Sequence, residues 1–397
     1  MKRSRSKSIK CRSILFSNKC FGLLLIFILA AGCTDQDSLT SFSDQDDKPN
    51  KTESSSHHNF LYSATSNSIE DAALIVGNFT PGDPANAILR YKASNGDFID
   101  EFIPEGNNGL NGSCCITFGP DENLYVSSPG TGNVLRYNGI TGEFIDEFVA
   151  AGSGGLNLPL ITVFGPDGNL YVGELVTEKI LRYNGTTGAF IDEFIDLEGD
   201  PSPPFFDPQL FVFGPDGNLY VTSTETGRIF RYNGTTGAFI DVFIPKGRGG
   251  LVSPNGVVFG NDGKLYVTDN VQHQVLRYDG NTGEFIDVFV PVGSGGLHVP
   301  VGLVFGPDSN LYVANSSGVA GDGNILRYDG NTGEFIDEFV SNGVGGITGP
   351  RVIEFKSKIN VCHQSPSGKS NTLSIGYLSA SDHIEHGDEI GSCANGD

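Results

Sequence analysis

The sequence predicts an all-β protein, a six-bladed β-propeller of four-stranded antiparallel blades, closed by a C-terminal strand and followed by a small tail module. The first observation behind this prediction is a repeat, marked by L-R-Y-like segments whose tyrosines lie 46 to 50 residues apart. These tyrosines are Tyr91, Tyr137, Tyr183, Tyr232, Tyr278 and Tyr328. The second observation is that each repeat holds four short runs rich in Val, Leu, Ile, Phe and Tyr, separated by Gly- and Asn-rich turns. Four-stranded units repeated at this period are typical of propeller blades.

The fifth repeat shows how one blade is built. Its predicted strands, named a to d in chain order, cover residues 256–259, 264–268, 274–278 and 284–289. In such a meander the a–b and c–d turns share one face of the blade, and the b–c and d–a loops share the other, which we call the loop face. The turns are nearly uniform among the repeats, whereas the lengths of the loops vary. We therefore expect a binding site on the loop face, near the central mouth.

The two ends of the repeat region predict how the ring closes. The first repeat has strands b to d but no clear strand a, and the last strand a, at 351–355, has no further strands behind it. Pairing the two completes blade one and leaves no open sheet edge. Residues 60–63 are the alternative source of the first strand a. The propeller is predicted to span residues 59–356.

An arginine on strand c and an aspartate on strand d recur in every repeat. The arginines are Arg90, Arg136, Arg182, Arg231, Arg277 and Arg327, and the aspartates are Asp100, Asp146, Asp192, Asp241, Asp287 and Asp337. A group present six times cannot define one unique site. The predicted role is a charge pair between adjacent outer strands.

The repeat resembles a known family. The pattern P-x-G-[LV]-V-F-G-P-D-G-N-L-Y-V, followed by L-R-Y and G-x-F, is similar to NHL-type repeats over about residues 73–355. The resemblance implies a six-bladed propeller, a fold that includes gluconolactonase-like and streptogramin-lyase-like proteins. It implies no single function, because this architecture hosts enzymes, ligand binders and scaffolds.

The N-terminal residues predict export. Residues 1–32 form a signal peptide with a basic segment and an apolar run, and they end in Leu-Ala-Ala-Gly before Cys33. This resembles a bacterial lipobox with Cys33 lipidated, which implies an outer-membrane lipoprotein that contacts the membrane only through its acyl chains. A secreted protein is the alternative. Residues 33–58 are predicted to be a disordered tether, and the net charge of −22 argues against nucleic acid as a partner.

Polar residues two places after the Tyr-Val pair of strand b predict a cation site at the mouth. Four of them carry carboxylate or amide oxygens, which suit calcium or magnesium: Asn78, Glu174, Asp269 and Asn315. Gluconolactonase-like propellers hold a divalent metal near this place with Glu, Asn and Asp, which the four residues could imitate. The alternative is that these residues cap loops and line a wet channel.

Two histidines of the loop face, His273 and His298, are candidates for general acid–base chemistry. Streptogramin-lyase-like enzymes use two histidines and a glutamate, but the Trp-Phe-Thr-Glu pattern of that family is missing here. The alternative for both is an ordinary surface-loop histidine.

The last segment, 357–397, is predicted to be a separate Cys/His module. Residues 361–393 resemble a small tail module of bacterial extracellular proteins. In an oxidising compartment Cys362 and Cys393 are expected to form a disulfide. His363, His383 and His386 would then form a zinc site or only hydrogen-bond inside the module. A zinc site built from both cysteines and two histidines, without a disulfide, is the alternative.

Two functions follow from these observations. The first is a non-enzymatic, membrane-anchored extracytoplasmic protein, expected to be a monomer, whose propeller is a binding or scaffolding module for a protein or glycan ligand on the loop face. The second is a divalent-metal-dependent lactonase- or lyase-like enzyme with its site at the central mouth.

Overall fold

A computed structural model describes residues 69–79, 86–113, 115–196, 208–316, 321–364, 370–385 and 387–393. These residues form six four-stranded antiparallel sheets, one three-stranded sheet and one short α-helix. The predicted six-bladed propeller with a small tail module is confirmed. Among the described residues, no helix is long and apolar enough to cross a membrane.

Each blade has the predicted strand order a to d, with the following bounds. Strands a to d are Pro350–Lys356, Ala73–Asn78, Ile88–Lys92 and Phe98–Ile103 in blade one; Cys115–Phe118, Leu124–Ser128, Asn133–Tyr137 and Phe144–Val149 in blade two; and Pro159–Phe164, Leu170–Glu174, Lys179–Tyr183 and Phe190–Ile195 in blade three. They are Pro208–Phe213, Leu219–Ser223, Arg228–Tyr232 and Phe239–Ile244 in blade four; Pro254–Phe259, Lys264–Asp269, Gln274–Asp279 and Phe285–Val290 in blade five; and Val299–Phe305, Leu311–Ser316, Gly323–Tyr328 and Phe335–Val340 in blade six. Short 3-10 turns lie at Ile69–Asp71, Asn107–Gly109, Ser153–Gly155, Arg248–Gly250, Ser294–Gly296 and Val344–Gly346.

The C-terminal strand closes the ring, as predicted. Strand a of blade one, Pro350–Lys356, pairs antiparallel with Ala73–Asn78. The hydroxyl of Tyr91 donates to the carbonyl of Val344 at 2.8 Å, just as Tyr137 donates to Asn107 at 3.0 Å in blade two. The last strand of the repeat region therefore forms one blade with the first three strands of that region. The alternative strand at residues 60–63, the predicted lipidation site Cys33 and the predicted tether lie outside the described residues.

The hydrophobic core lies between neighbouring blades. In blade two, the ring of Tyr125 on strand b packs edge-on against Phe148 of strand d and Phe164 of the next blade, with both pairs of ring centroids 4.8 Å apart. Blade six repeats this contact with Tyr312 against Phe355 of the closing strand, at 4.7 Å. The interface that closes the ring is thus built like the one between blades two and three.

The repeated arginines and aspartates form the predicted charge pairs. In every blade the guanidinium donates from Nε and Nη2 to the two carboxylate oxygens of the aspartate on strand d. The guanidinium also lies over a strand-d phenylalanine, 4.4 to 5.0 Å from the ring centroid. These pairs fasten strand c to strand d in each blade and belong to the framework of the fold.

The tail forms a three-stranded sheet and one helix. Its strands are Lys358–Gln364, Ser370–Gly376 and Glu389–Ile390, and its helix is Ala380–Glu385. The buried tail residues Ile359, Val361, Tyr377 and Ala380 share a hydrophobic cluster with residues of blades one and two. The described residues of the propeller and the tail therefore belong to one compact unit.

A tyrosine of the tail replaces one that blade one lacks. In blades two to six a strand-b tyrosine donates its hydroxyl to the aspartate of the a–b turn, at 2.9 to 3.0 Å. Blade one has Ile75 at this position. There the ring of Tyr377 lies 5.9 Å from the guanidinium of Arg90, the same distance that separates Arg136 from Tyr125. Arg90 Nη1 donates to the hydroxyl of Tyr377 at 3.4 Å, and that hydroxyl donates to the carbonyl of Gly139 at 2.8 Å.

Candidate functional site

The four predicted mouth residues lie at the loop-face end of strand b in blades one, three, five and six, where Asn315 is the last residue but one of its strand and the other three are the last. The sequence pattern therefore located them in equivalent positions. Their oxygens are engaged with the backbone of the loops around them, and the loop-capping alternative describes these contacts.

Asp269 and Glu174 hold their loops through backbone N–H groups. Asp269 is fully buried, and its carboxylate accepts from the N–H groups of Val252 and Ser253 in the preceding d–a loop, at 2.7 and 3.2 Å. It also accepts from the N–H groups that begin its own b–c loop. Glu174, equally buried, accepts from the N–H groups of Leu158 and Val176 at 3.1 Å. Each carboxylate thus ties together the two loops of its own blade.

The two asparagines have the same role. Asn78 Oδ1 accepts from the N–H groups of Thr348 and Gly349, at 2.9 and 2.8 Å, and so fixes the loop that leads into the closing strand. Asn315 Oδ1 accepts from the N–H of His298 at 2.8 Å. In each case the side-chain oxygen accepts from the d–a loop that leads into its own blade, and Asn315 also donates to Oδ1 of Asn324 on strand c at 2.8 Å. Calcium or magnesium at the mouth stays a prediction.

The structure brings together two histidines that the sequence singled out separately. The rings of His273, in the b–c loop of blade five, and His298, in the loop before strand a of blade six, stack with centroids 4.4 Å apart and planes 14° apart. Burial and the neighbouring His298 lower the pKa of His273, while the carboxylate of Asp269 acts in the opposite direction. The lowered pKa favours the neutral form of the His273 side chain.

The large apolar side chains that are exposed among the described residues divide into two groups. Most lie on strand d, the outer strand of each blade, where the F-I-D-x-F sequence repeats. The others are five valines of the loop face, in b–c or d–a loops: Val176, Val252, Val271, Val292 and Val344. Val252 and Val271 belong to the two loops that Asp269 joins. These five valines could not be predicted as surface residues of a site, because a single valine in a loop has no periodic pattern.

The tail holds the predicted disulfide and a cluster of side chains. Cys362 and Cys393 are bonded to each other, so the alternative in which both cysteines ligate zinc is wrong. One nitrogen or oxygen atom from each of His363, His383 and Asp388 lies within 4.8 Å of the others, and no other such group of three occurs in the searched, described part of the chain. His386, the third predicted ligand, lies outside the described residues. Asp388 was not among the predicted ligands of this segment, which were only cysteines and histidines.

Comparison with known proteins supports the fold alone. No protein-family model and no curated protein matches the sequence. A solved nidogen–laminin complex is similar with a TM-score of 0.54 and 15% identity, over 72% of this chain and 98% of that chain. A Bacteroides caccae protein of unknown function is similar with a TM-score of 0.51 and 15% identity, over 71% and 97%. The virginiamycin B lyase of Staphylococcus aureus has a TM-score of 0.46 and 19% identity, over 68% and 86%, and carries no further argument.

Proposed function

We propose that the protein is a non-enzymatic, membrane-anchored, extracytoplasmic β-propeller that binds another protein through its loop face. The observation that carries this proposal is the group of exposed valines there. Val292 and Val176 are 65% and 58% exposed, more than any of the exposed apolar side chains on strand d. A contiguous patch of exposed apolar side chains marks an interaction surface, and we propose that the valines of this face contribute to one.

The polar groups beneath these valines support binding rather than catalysis. Glu174 and Asp269 are buried and accept hydrogen bonds from several backbone N–H groups each. A carboxylate engaged in this way holds loops in one shape, and preorganised loops bind a partner at a lower entropic cost. The framework of the loop face is thus rigid, while its most exposed side chains are apolar.

Two further observations fit a partner outside the cytoplasm. The tail disulfide forms and persists in oxidising compartments, which supports export. One of the similar structures is a complex of two proteins, nidogen and laminin. We therefore favour a protein over a glycan as the ligand, because valine offers apolar contact but no hydrogen bonds to sugar hydroxyls.

The binding proposal is tested with two matched sets of glutamate substitutions. The loop-face set is Val176→Glu, Val271→Glu and Val292→Glu, and the control set is Ile145→Glu, Ile191→Glu and Ile240→Glu on strand d. A partner is first identified by crosslinking in the source cells and is then purified, so that its Kd can be measured for each set. We expect the loop-face set to weaken binding by more than about tenfold, which is 1.4 kcal/mol, and the control set to leave it unchanged. Equal effects of both sets would contradict the proposal.

The membrane anchor is tested separately. Cys33→Ser should abolish incorporation of labelled palmitate and release the protein from the membrane fraction, whereas the unmodified chain should be labelled and sediment with membranes. Secretion of an unlabelled wild-type protein would support the secreted alternative.

The stacked histidines favour a second candidate, a lactonase- or lyase-like enzyme with its site at the mouth, dependent on a divalent metal. The rings of His273 and His298 are stacked, and burial and His298 lower the pKa of His273. The candidate is tested by assaying lactones and cyclic depsipeptides with added calcium, magnesium or no metal. Turnover that is lost in His273→Ala and His298→Ala but retained in Asp382→Asn would support it, and absence of turnover in all conditions would exclude these substrates.

A further inference from the structure

The side-chain cluster of the tail has the composition of a metal site. His363 lies on strand Lys358–Gln364, next to the disulfide residue Cys362, and His383 lies on helix Ala380–Glu385. Asp388 directly precedes strand Glu389–Ile390, which pairs with the strand that carries His363. A strand, a helix and the residue before a second strand thus bring two imidazoles and one carboxylate close together.

The backbone fixes how Asp388 reaches the histidines. After the helix, Gly387 adopts a φ of +94°, a conformation that other residues rarely adopt. This turn brings the N–H of Asp388 to the carbonyl of His383 at 3.2 Å, and the N–H of Gly387 to that of Ile384 at 2.9 Å. The disulfide ties the end of the same segment to the strand beside His363. The three side chains therefore stand on a stapled framework.

The distances suit a tetrahedrally coordinated cation. Asp388 Oδ2 lies 2.9 Å from Nδ1 of His363 and 3.0 Å from Nδ1 of His383. Ligand atoms bound to zinc at about 2.0–2.1 Å in a tetrahedron are about 3.3 Å apart, so these two separations need to open by only a few tenths of an ångström. All three ligand atoms lie within 4.8 Å of one another. The two imidazole rings are nearly perpendicular, at 81°, with centroids 6.3 Å apart.

The carboxylate of this cluster is buried, whereas its two histidines are partly exposed. The side chain of Asp388 is 3% exposed, while those of His363 and His383 are 38% and 35% exposed. Taking a carboxylate out of water is costly, and a divalent cation bound to it would offset part of that cost. The partly exposed histidines leave a path from solvent to the carboxylate.

We propose that the tail binds one zinc ion, or a transition-metal ion of the same class, through His363, His383 and Asp388. Two imidazole nitrogens and one carboxylate oxygen form a ligand set that zinc accepts, with a fourth position left for water or a further ligand. Because the cysteines are joined as a disulfide, they take no part. The site lies in the tail, so it is independent of the binding proposed for the loop face.

The first test is zinc binding by the full chain produced in an oxidising compartment. Equilibrium dialysis followed by elemental analysis should give one zinc per chain, and Asp388→Asn should weaken binding by about 100-fold or more, above the roughly 10–100-fold that loss of a supporting partner costs. The matched control is Asp382→Asn, the same substitution at an exposed position of the helix that carries His383, which should bind like the wild type. Absence of stoichiometric zinc, or equal affinity of the two variants, would overturn the proposal.

A second measurement covers the case in which Asp388→Asn does not fold. Cobalt added to the unaltered protein should give the visible absorption of four-coordinate cobalt, and equimolar zinc should displace it. His383→Gln and His363→Gln, both at half-exposed positions, should each reduce this absorption. A wild-type protein that shows no such band would contradict the proposal, and the cluster would then be a hydrogen-bonded one.

Discussion

Tyr377 is predicted to be as important for the propeller as a tyrosine of the blades themselves. Its ring is 1% exposed and packs edge-on against Phe118 of blade two, with centroids 6.2 Å apart. Replacing a buried aromatic residue with alanine costs about 3–5 kcal/mol. With an unfolding entropy of about 2.1 cal/mol/K per residue over roughly 330 residues, Tyr377→Ala should lower the Tm by about 4–7 °C.

The hydroxyl group can be tested apart from the ring. Tyr377→Phe keeps the packing but leaves the carbonyl of Gly139 without this donor, which should cost about 1–3 kcal/mol. In a double-mutant cycle, Arg90→Ala and Tyr377→Phe should be non-additive by at least about 0.5 kcal/mol, because the two groups are hydrogen-bonded. Arg182→Ala, in another blade, should be additive with Tyr377→Phe.

The assay is thermal and urea unfolding of the full chain, with Tyr220 as the matched control. Tyr220 is the strand-b tyrosine of blade four, is equally buried, and donates to Asp216 at 3.0 Å. Tyr220→Ala and Tyr377→Ala should therefore destabilise the protein to a similar extent. The reasoning is refuted if Tyr377→Ala unfolds within about 1 °C of the wild type while Tyr220→Ala does not.

Three further predictions follow from other parts of the structure. Asp269→Ala removes the acceptor of backbone N–H groups in two loops, so it should lower the free energy of unfolding by about 1–3 kcal/mol and increase protease cleavage near residue 252. Replacing Cys362 and Cys393 with serine opens a loop with a sequence separation of 31, which should cost about 3–4 kcal/mol in urea unfolding, and full stability without the disulfide would contradict this. Burial raises the pKa of Glu354 to about 7, so the folded state keeps a proton that the unfolded state loses above its ordinary pKa of 4.5. The stability contribution is then complete below about pH 4.5 and is lost as the pH rises to about 7, and Glu354→Gln should flatten that part of the urea-midpoint profile relative to the wild type.

Much of the propeller could be predicted because each blade repeats the same sequence pattern and the same arrangement of strands and turns. The turn glycines, the alternating strands and the Arg–Asp pairs are readable from any one repeat, and six copies remove the ambiguity of a single one. Ring closure was also readable, since the missing strand a of the first repeat and the unused strand at 351–355 complement each other. The disulfide followed from two cysteines at the ends of a short segment.

The contacts of the tail could not be predicted in the same way. Nothing in the local sequence around Tyr377 shows which blade it packs on, since the contact with Arg90 spans 287 positions of the chain. One indication was present: blade one has Ile75 where every other blade has tyrosine. The position at which blade one departs from the consensus of the repeat is thus the position where Tyr377 of the tail supplies the missing tyrosine.

The candidate sites were predicted in location but not in detail. The repeat placed Asn78, Glu174, Asp269 and Asn315 at one face, yet a sequence cannot show whether an oxygen points into the mouth or toward its own loop. In the tail, Gly387 reverses the chain after the helix and brings Asp388 back to His383, a contact that residue counting does not reveal.

The most direct measurement of the proposed function is site-specific photo-crosslinking in the source cells. A photoreactive amino acid is placed at Val271 on the loop face and, in a second chain, at Ile145 on strand d, which are 48% and 42% exposed. Binding through the loop face predicts one discrete crosslinked protein at position 271 and none at position 145. A crosslink at position 145 alone, or the same products at both positions, would contradict it.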